Sequence, residues 1–572
     1  MFTLGEIHEH LLINGIDKSY THWIFHGESL AKSNEKPSSS TFDDQSDDEY
    51  PRMEELVNDA FRNIGEHADT LMDDLRNENC HEDLDAERYK ALFDDARQSL
   101  YPSCPRELIK LSVTVELYSL KARNGWSDNS FNDLLQLVKK LLPVENTLPV
   151  STYQAKKMIN SLGMTYETIH ACPNDCIIYW KEYKDRQNCP TCHTSRWRSD
   201  YLAKKKGVRV PSKVLRYFPL APRLQRLYSV PWIAEQMTWH SQPKEYSGVM
   251  RHPSDSSSWM VINNKWPSFA EEFRNVRLGL ATDGFNPFGH LSSAYSCWPV
   301  IIVPYNLPPS MCMKREFSML TVLIPGPKGP SKDIDVYLQP LIDELKNLWL
   351  NGVTTYDSHL KTIFNLKAIL MWGIHDFPAY GSLSGCVTHA QYACPVCAEG
   401  TVAERLKSGK KYSYQGHRRF LPINHVFRTQ KAAFNNKVEE GRPSHRLSGS
   451  EVEAKVIGIQ MDIGKSKGKK RKSYGDDSTG NITAWYKRSI LFDLPYWKEL
   501  PVRHNLDVMH VVKNVGDHLL STILEVKDKT KDDISACEDL KKMNIMKDLW
   551  LKEADGKTIK PKAPFTLSCK EK

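Results

Sequence analysis

Arg277-Leu278-Gly279-Leu280-Ala281-Thr282-Asp283-Gly284-Phe285-Asn286-Pro287-Phe288 is the stretch whose reading decides the fold. An apolar run rises to a single carboxylate, Asp283, and Gly284, Asn286 and Pro287 then break the pattern. This predicts a buried strand that delivers Asp283 to its end, followed by a turn. Further along, Leu366 to Ile374 is again apolar, leads to Asp376 and is stopped by Phe377-Pro378. Two strand ends that each carry one Asp are what a metal-dependent phosphoryl-transfer site needs. A carboxylate fixed at a strand terminus can bind a hard divalent cation through oxygen.

The segments between them complete an order. A second apolar run spans Trp298 to Val303 and stops at Pro304. A third spans Met319 to Ile324 and stops at Pro325-Gly326-Pro327. A helix follows, with Asp333 or Asp335 near its start and Val336, Leu338, Leu341, Ile342, Leu345 and Leu348 at helical spacing. Strand-strand-strand-helix-strand, with acids ending the first and fourth strands, is the order of the ribonuclease-H-like fold. In that fold the two strands are neighbours, so Asp283 and Asp376 are expected to share a metal.

Outside this core the chain divides by composition. Residues 1–32 hold a short amphipathic pattern, Ile7, Leu11, Leu12 and Ile16, and an aromatic knot around Trp23. Residues 33–50 are rich in Ser and Asp and read as a disordered linker. Residues 51–165 read as helical, with a break at Gly125-Trp126-Ser127. The core is expected over 233–400, a basic insertion over 401–484 and a helical end over 485–572. The fold class expected is therefore α/β (α+β multidomain): a ribonuclease-H-like core with an insertion, preceded by a helical region and a zinc-knuckle module at 166–232.

Charge is uneven. Residues 33–100 hold 20 Asp/Glu against 7 Lys/Arg, a balance of −13 in a chain of net charge +7, so the remainder carries +20. A basic body suits a polyanion such as nucleic acid. No apolar run is long enough to span a bilayer, and the first residues do not read as a secretory leader. In such a chain, 13 cysteines favour metal over disulfides.

The strongest local motif is Cys172-x3-Cys176 followed by Cys189-x2-Cys192. Four thiolates in two close pairs fit a closed, structural tetrahedral Zn²⁺, and Ile177-Ile178-Tyr179-Trp180 between them reads as a ribbon strand. A row of cations follows, including Arg196, Arg198, Arg209, Lys213, Arg216, Arg223 and Arg226, interleaved with Tyr217, Phe218, Tyr228 and Trp232. Cations plus aromatics are compatible with DNA binding; a solvated helix face over core aromatics reads equally well. Cys394 and Cys397 form a second knuckle-like pair, for which His504 and His510 are the best distant partners. The run from Lys465 to Lys472 reads as a nuclear localisation signal, a phosphate-binding arm or a solvated loop.

Taken together, these residues resemble the transposases of plant CACTA (En/Spm-like) DNA transposons. The resemblance rests on the Cys172–Cys192 knuckles, Val214 to Leu220, Gly248 to Pro253, Asn275 to Phe288, Val303 to Pro309, Asp335 to Leu341, Asp376 to Gly381 and His504 to His510. It implies a DDE/D enzyme acting in the nucleus on double-stranded DNA at the transposon terminal repeats, with self-association and no membrane. It implies Asp283 and Asp376 as the first two ligands of Mg²⁺ (or Mn²⁺). Analogy with a related recombinase pairs Cys394 and Cys397 with His504 and His510 on a second zinc. The chain departs from the family where the third acid is expected. Asp507 or Glu525 can stand in, though neither sits in the family's context, and both chain ends are expected to be cut short. Two readings stand: an incomplete transposase, or a catalytically dead DNA- or protein-binding module derived from one.

Overall fold

The computed structural model describes residues 98–105, 108–160, 166–198, 209–242, 249–286, 295–459, 463–464, 484–526, 533–554, 556–562 and 565–567. The amphipathic pattern at 7–16, the linker at 33–50, the acidic segment at 51–97 and the basic run at 465–472 lie outside the described residues.

The described chain opens with three helices, α1 (Lys110–Asn124), α2 (Asp128–Leu141) and α3 (Thr152–Asn160). The break between the first two falls at the expected triplet. Gly125 adopts a left-handed φ of 63° as C-cap of α1, and the Ser127 side chain accepts from the Ser130 amide as N-cap of α2. A C-cap Gly and an N-cap Ser are the residues that stop one helix and start the next. Phe131, Leu135, Leu148 and Ala155 form a small core of their own here.

A mixed α/β body follows. Its strands are β1 (Glu167–His170), β2 (Val214–Tyr217), β3 (Val276–Thr282), β4 (Trp298–Pro304) and β5 (Met319–Ile324). Helix α4 (Ala221–Ser229) lies between β2 and β3, and helix α5 (Ile334–Leu350) follows β5. Then come a hairpin of β6 (Val353–Asp357) and β7 (Thr362–Leu366), strand β8 (Ala368–His375) and helix α6 (Phe377–Ser384). The insertion carries a second hairpin, β9 (Ala403–Arg405) and β10 (Tyr412–Tyr414). The chain returns to the sheet with β11 (His504–Leu506), then α7 (Val508–Ile523) and α8 (Ile534–Met543).

Seven strands form one sheet in the order β1-β2-β5-β4-β3-β8-β11. β3, β4 and β5 are antiparallel neighbours, whereas β8 runs parallel to β3 on one side and to β11 on the other. Every residue of β4 and all but one of β3 and β8 are buried. Strands covered on both faces read as continuous apolar runs, which is why these three were visible in the sequence. Helix α5 seals the sheet with Val336, Leu338, Leu341, Ile342, Leu345 and Leu348, all buried.

Two sequence readings change. The fourth strand starts at Ala368, and Leu366 instead closes the hairpin β6–β7, whose two strands alternate buried and exposed. Ile177 to Trp180 forms no strand; Ile178 makes a single bridge to Ala171, and Ile177 and Tyr179 pack against the cysteines.

Backbone proximity matters at Gly279, where β3 has no side chain because Tyr305 lies over it. A Cβ at 279 would collide with Tyr305 Oη, which itself accepts from Trp372 Nε1 at 3.2 Å. Both rings are buried, so neither can swing into solvent. Gly279→Ala is expected to cost about 1–3 kcal/mol, read as a lower urea midpoint with an unchanged slope.

Candidate functional site: a carboxylate edge and a cysteine cluster

β3, β8 and β11 run parallel, so their C-terminal ends lie on the same edge of the sheet. Each is followed at once by an aspartate: Asp283, Asp376 and Asp507. The register pairs Ala281 with Ile374 and Leu506 with His375, and the Asp507 amide donates to the His375 carbonyl at 2.8 Å. The sheet thus sets the three acids side by side, two of them expected from sequence. The third, Asp507, is one of the two residues the sequence offers as a stand-in for the third acid.

Each carboxylate is anchored in the same manner. Oδ1 of Asp376 accepts from the Ala379 amide at 2.8 Å and caps α6. Oδ1 of Asp507 accepts from the His510 amide at 3.1 Å and caps α7. Oδ1 of Asp283 accepts from the Gly284 amide at 2.5 Å. Among the described residues, no hydrogen bond or ion pair engages Oδ2 of any of the three, and all three side chains are half-buried. Burial, first, and then repulsion from Asp376 push the Asp283 carboxyl above its ordinary range; Asp507 adds to the repulsion, while the Gly284 amide and His510 oppose it. Capping is the ordinary duty of such an Asp. What is added here is a common edge with one oxygen of each acid left over. The three oxygens do not draw together as closely as the cysteines described next, whose ligand atoms lie within 4.8 Å of one another.

Cys172, Cys176, Cys189 and Cys192 form the one such group among the described residues. Cys172 Sγ lies 3.4 Å from Cys192 Sγ, and the Asn174 amide points at Cys172 Sγ at 3.4 Å. Burial pushes the Cys172 thiol up to about 12. Burial also works against Cys192, but donors on Thr194 and Asn174 prevail and bring it down to about 6. Four sulfurs at this spacing can hold a metal ion such as zinc.

The knuckle is fastened to the core through its turn. Asp175, fully buried with a left-handed φ of 60°, accepts from Lys213 Nζ and from Tyr337 Oη of α5. Several cations of the expected basic row are used inside the fold in the same way. Arg196 stacks on Tyr179 at 4.7 Å and donates to His170 and to the Lys184 carbonyl. Arg223 lies over Phe218 and donates to the Pro219 carbonyl. Lys213, Arg196 and Arg223 are therefore committed to the fold and do not form a free polyanion-facing row. The sequence could not separate the two uses, because a cation beside an aromatic ring reads the same in either.

The second expected metal set is not assembled. Cys394 and Cys397 do form a knuckle, with the Cys397 amide 3.4 Å from Cys394 Sγ, but no three of Cys394, Cys397, His504 and His510 meet within 4.8 Å. The His504 ring packs against Tyr380, Trp497 and His375 at 5.2, 5.5 and 5.9 Å. Burial foremost, then His375, holds it well below the usual histidine range. His510 lies instead within electrostatic reach of Asp283.

Two measurements check the cysteine module. Elemental analysis of the purified chain is expected to find about one zinc held by the four thiolates, lost in Cys189→Ser. Asp175→Ala strands the Lys213 ammonium in the interior and is expected to cost about 3–5 kcal/mol in chemical unfolding.

Among curated proteins nothing matches the chain. Among the described helices none is long and apolar enough to cross a membrane. Residues 247–459, which include Asp283, Asp376, Cys394 and Cys397, match the model of the transposase family tnp2, and that match supports a transposase.

Proposed function

We propose that this chain is a transposase of the CACTA (En/Spm-like) lineage, with a ribonuclease-H-like core that cuts double-stranded DNA at the transposon terminal repeats. In this reading Asp283, Asp376 and Asp507 hold the divalent cations. The observation that carries it is the common edge: three aspartates at the C-terminal ends of three adjacent parallel strands, two of them inside the tnp2 match. The adjacency of β3 and β8, the first and fourth strands of the expected run, supports the ribonuclease-H-like reading.

The donor set fits Mg²⁺ or Mn²⁺, since all three residues present hard carboxylate oxygen and each keeps Oδ2. Together they would hold the divalent ions that in-line phosphoryl transfer uses. Such ions would polarise the scissile phosphate and make the attacking oxygen a better nucleophile. The protein's own contribution is rigidity. Backbone amides fix Oδ1 of each acid, and the sheet register fixes the distance between them. His510, beside Asp283, is placed to offset charge at this edge. Binding of the terminal repeats, self-association and a nuclear location belong to the same proposal. For a second zinc we retain the Cys394–Cys397 knuckle with His504 and His510 as its expected partners, which would have to draw closer, since no three of the four meet within 4.8 Å.

One observation favours the competing reading of a catalytically dead binding module: Asp376 and Asp507 are both occupied as helix caps, the ordinary duty of an Asp at such a place. The two readings part on a direct assay. Purified protein is mixed with a duplex bearing the element's terminal repeats in Mg²⁺, and Mn²⁺ binding is followed by electron paramagnetic resonance. Cleavage is expected, and Asp283→Asn, Asp376→Asn and Asp507→Asn should each abolish it and reduce bound Mn²⁺. A wild-type chain that binds the duplex but neither cuts it nor takes up Mn²⁺ sinks the catalytic reading and leaves the binding module.

A further inference from the structure

The insertion and the C-terminal helix α8 build a cavity between them. The β9–β10 hairpin closes with the Leu406 amide donating to the Lys411 carbonyl at 2.8 Å. Its turn is held against α8 by a single buried side chain: Oδ1 of Asp539 accepts from the Ser408 amide at 2.8 Å and Oδ2 from the Gly409 amide at 2.7 Å. These bonds join segments 130 residues apart in sequence, so the walls are fixed to each other. Between them lies a half-open cavity of about 340 Å³, the size of a small-ligand site.

The lining is charged in one direction. Arg405, Lys407, Lys437 and Lys542 face the cavity against Glu404 and Asp539. Asp539 is 3% exposed and both of its oxygens already accept backbone amides, so it offers nothing to a cation in the cavity. Glu404 meets Lys437 across 3.9 Å in the open, a weak pair. Arg405 and Lys407 are exposed, and among the described residues neither has an ion-pair partner. Arg405 is held in line by pairing with Tyr412 across the hairpin. The lining has no aromatic ring, so it offers no surface on which a base could stack. What it offers is positive charge, the chemistry that grips phosphate without reading sequence.

We propose that this cavity is a phosphate-binding site for the backbone of duplex DNA, held by Arg405 and Lys407 and separate from the carboxylate edge. It deepens the DNA reading above and rests on it. The insertion then has a task that its polar sequence did not disclose: it grips the duplex while the sheet edge faces the bond to be cut.

The experiment is a salt series. Binding of the full chain to a labelled duplex of arbitrary sequence is followed by fluorescence anisotropy, for the wild type, Arg405→Glu/Lys407→Glu, Arg405→Gln/Lys407→Gln and the control Lys314→Glu/Lys361→Glu. The control makes the same change in net charge at exposed lysines outside the cavity. Each phosphate contact contributes about −0.9 to the slope of log K against log salt. Both cavity variants are expected to flatten that slope by about 2, with the control close to wild type. A cavity variant with the wild-type slope, or a control that flattens it equally, overturns the proposal. The glutamine pair keeps the test valid should charge reversal disturb the hairpin. A wild-type chain that fails to bind the duplex overturns the DNA reading itself, whereas normal binding with an unchanged variant slope overturns this site alone.

Discussion

Everything at the candidate site depends on β8 pairing in parallel with two strands at once. A strand flanked by antiparallel neighbours sends its C-terminus to the edge where theirs begin. β8 sends Asp376 to the same edge as Asp283 and Asp507, because β3 and β11 run its way. Parallel pairing needs a long crossover, and the chain supplies two. One carries β4, β5, α5 and the hairpin β6–β7; the other carries the whole insertion. The apolar burial of β3 and β8 is what makes the register strict, since a slip by one residue would turn each aspartate to the other face of the sheet.

The zinc-type module is not an appendage on this body. Glu344 of α5 accepts from the Leu220 and Ala221 amides at 2.8 Å and from the Tyr217 hydroxyl. It thereby serves as the cap that α4 lacks in its own sequence. Asp175, in the turn between two cysteines, reaches Tyr337 on the same helix. Helix α5 therefore backs the sheet with its apolar side and gathers the module that precedes the sheet with its polar side. Loss of order among the cysteines would be felt at Asp175, and through Tyr337 by the helix that covers β8.

How much was legible follows from length and burial. β3, β4, β5 and α5 could be read because each is long and buried enough to leave an unbroken apolar signature. The α1–α2 break could be read because Gly125 and Ser127 are residues with one strong positional meaning. The β6–β7 hairpin was missed although Val353 to Asp357 and Thr362 to Leu366 carry a period of two; the apolar run of β8 beginning two residues later masked it. β11 has three residues, too few for any period, and its partner β8 is more than a hundred residues earlier. Asp507 is consequently readable from the sequence only as one of two stand-ins for the third acid, and the sheet shows the company it keeps. Ile177 to Trp180 failed for the opposite reason. Its apolar residues are there to line a knuckle, and a short apolar run does not say which element it belongs to.

The same carboxylate edge shows why charge alone is a poor guide to a metal. Three half-buried acids in one place repel one another, and Asp283 feels that repulsion. The fold nonetheless tolerates them with protein groups. Asp376 and Asp507 sit at the N-termini of α6 and α7, each equivalent to roughly half a positive charge, and every Oδ1 has an amide donor. Capping and turn closure therefore account for the placement of the acids, and their presence is not in itself a sign of a cation. An N-cap aspartate ordinarily bonds through one oxygen and leaves the other to solvent, so a spare Oδ2 is common to a capping acid and a ligating one. What sets these three apart is their place: one sheet register brings them to the ends of three adjacent parallel strands.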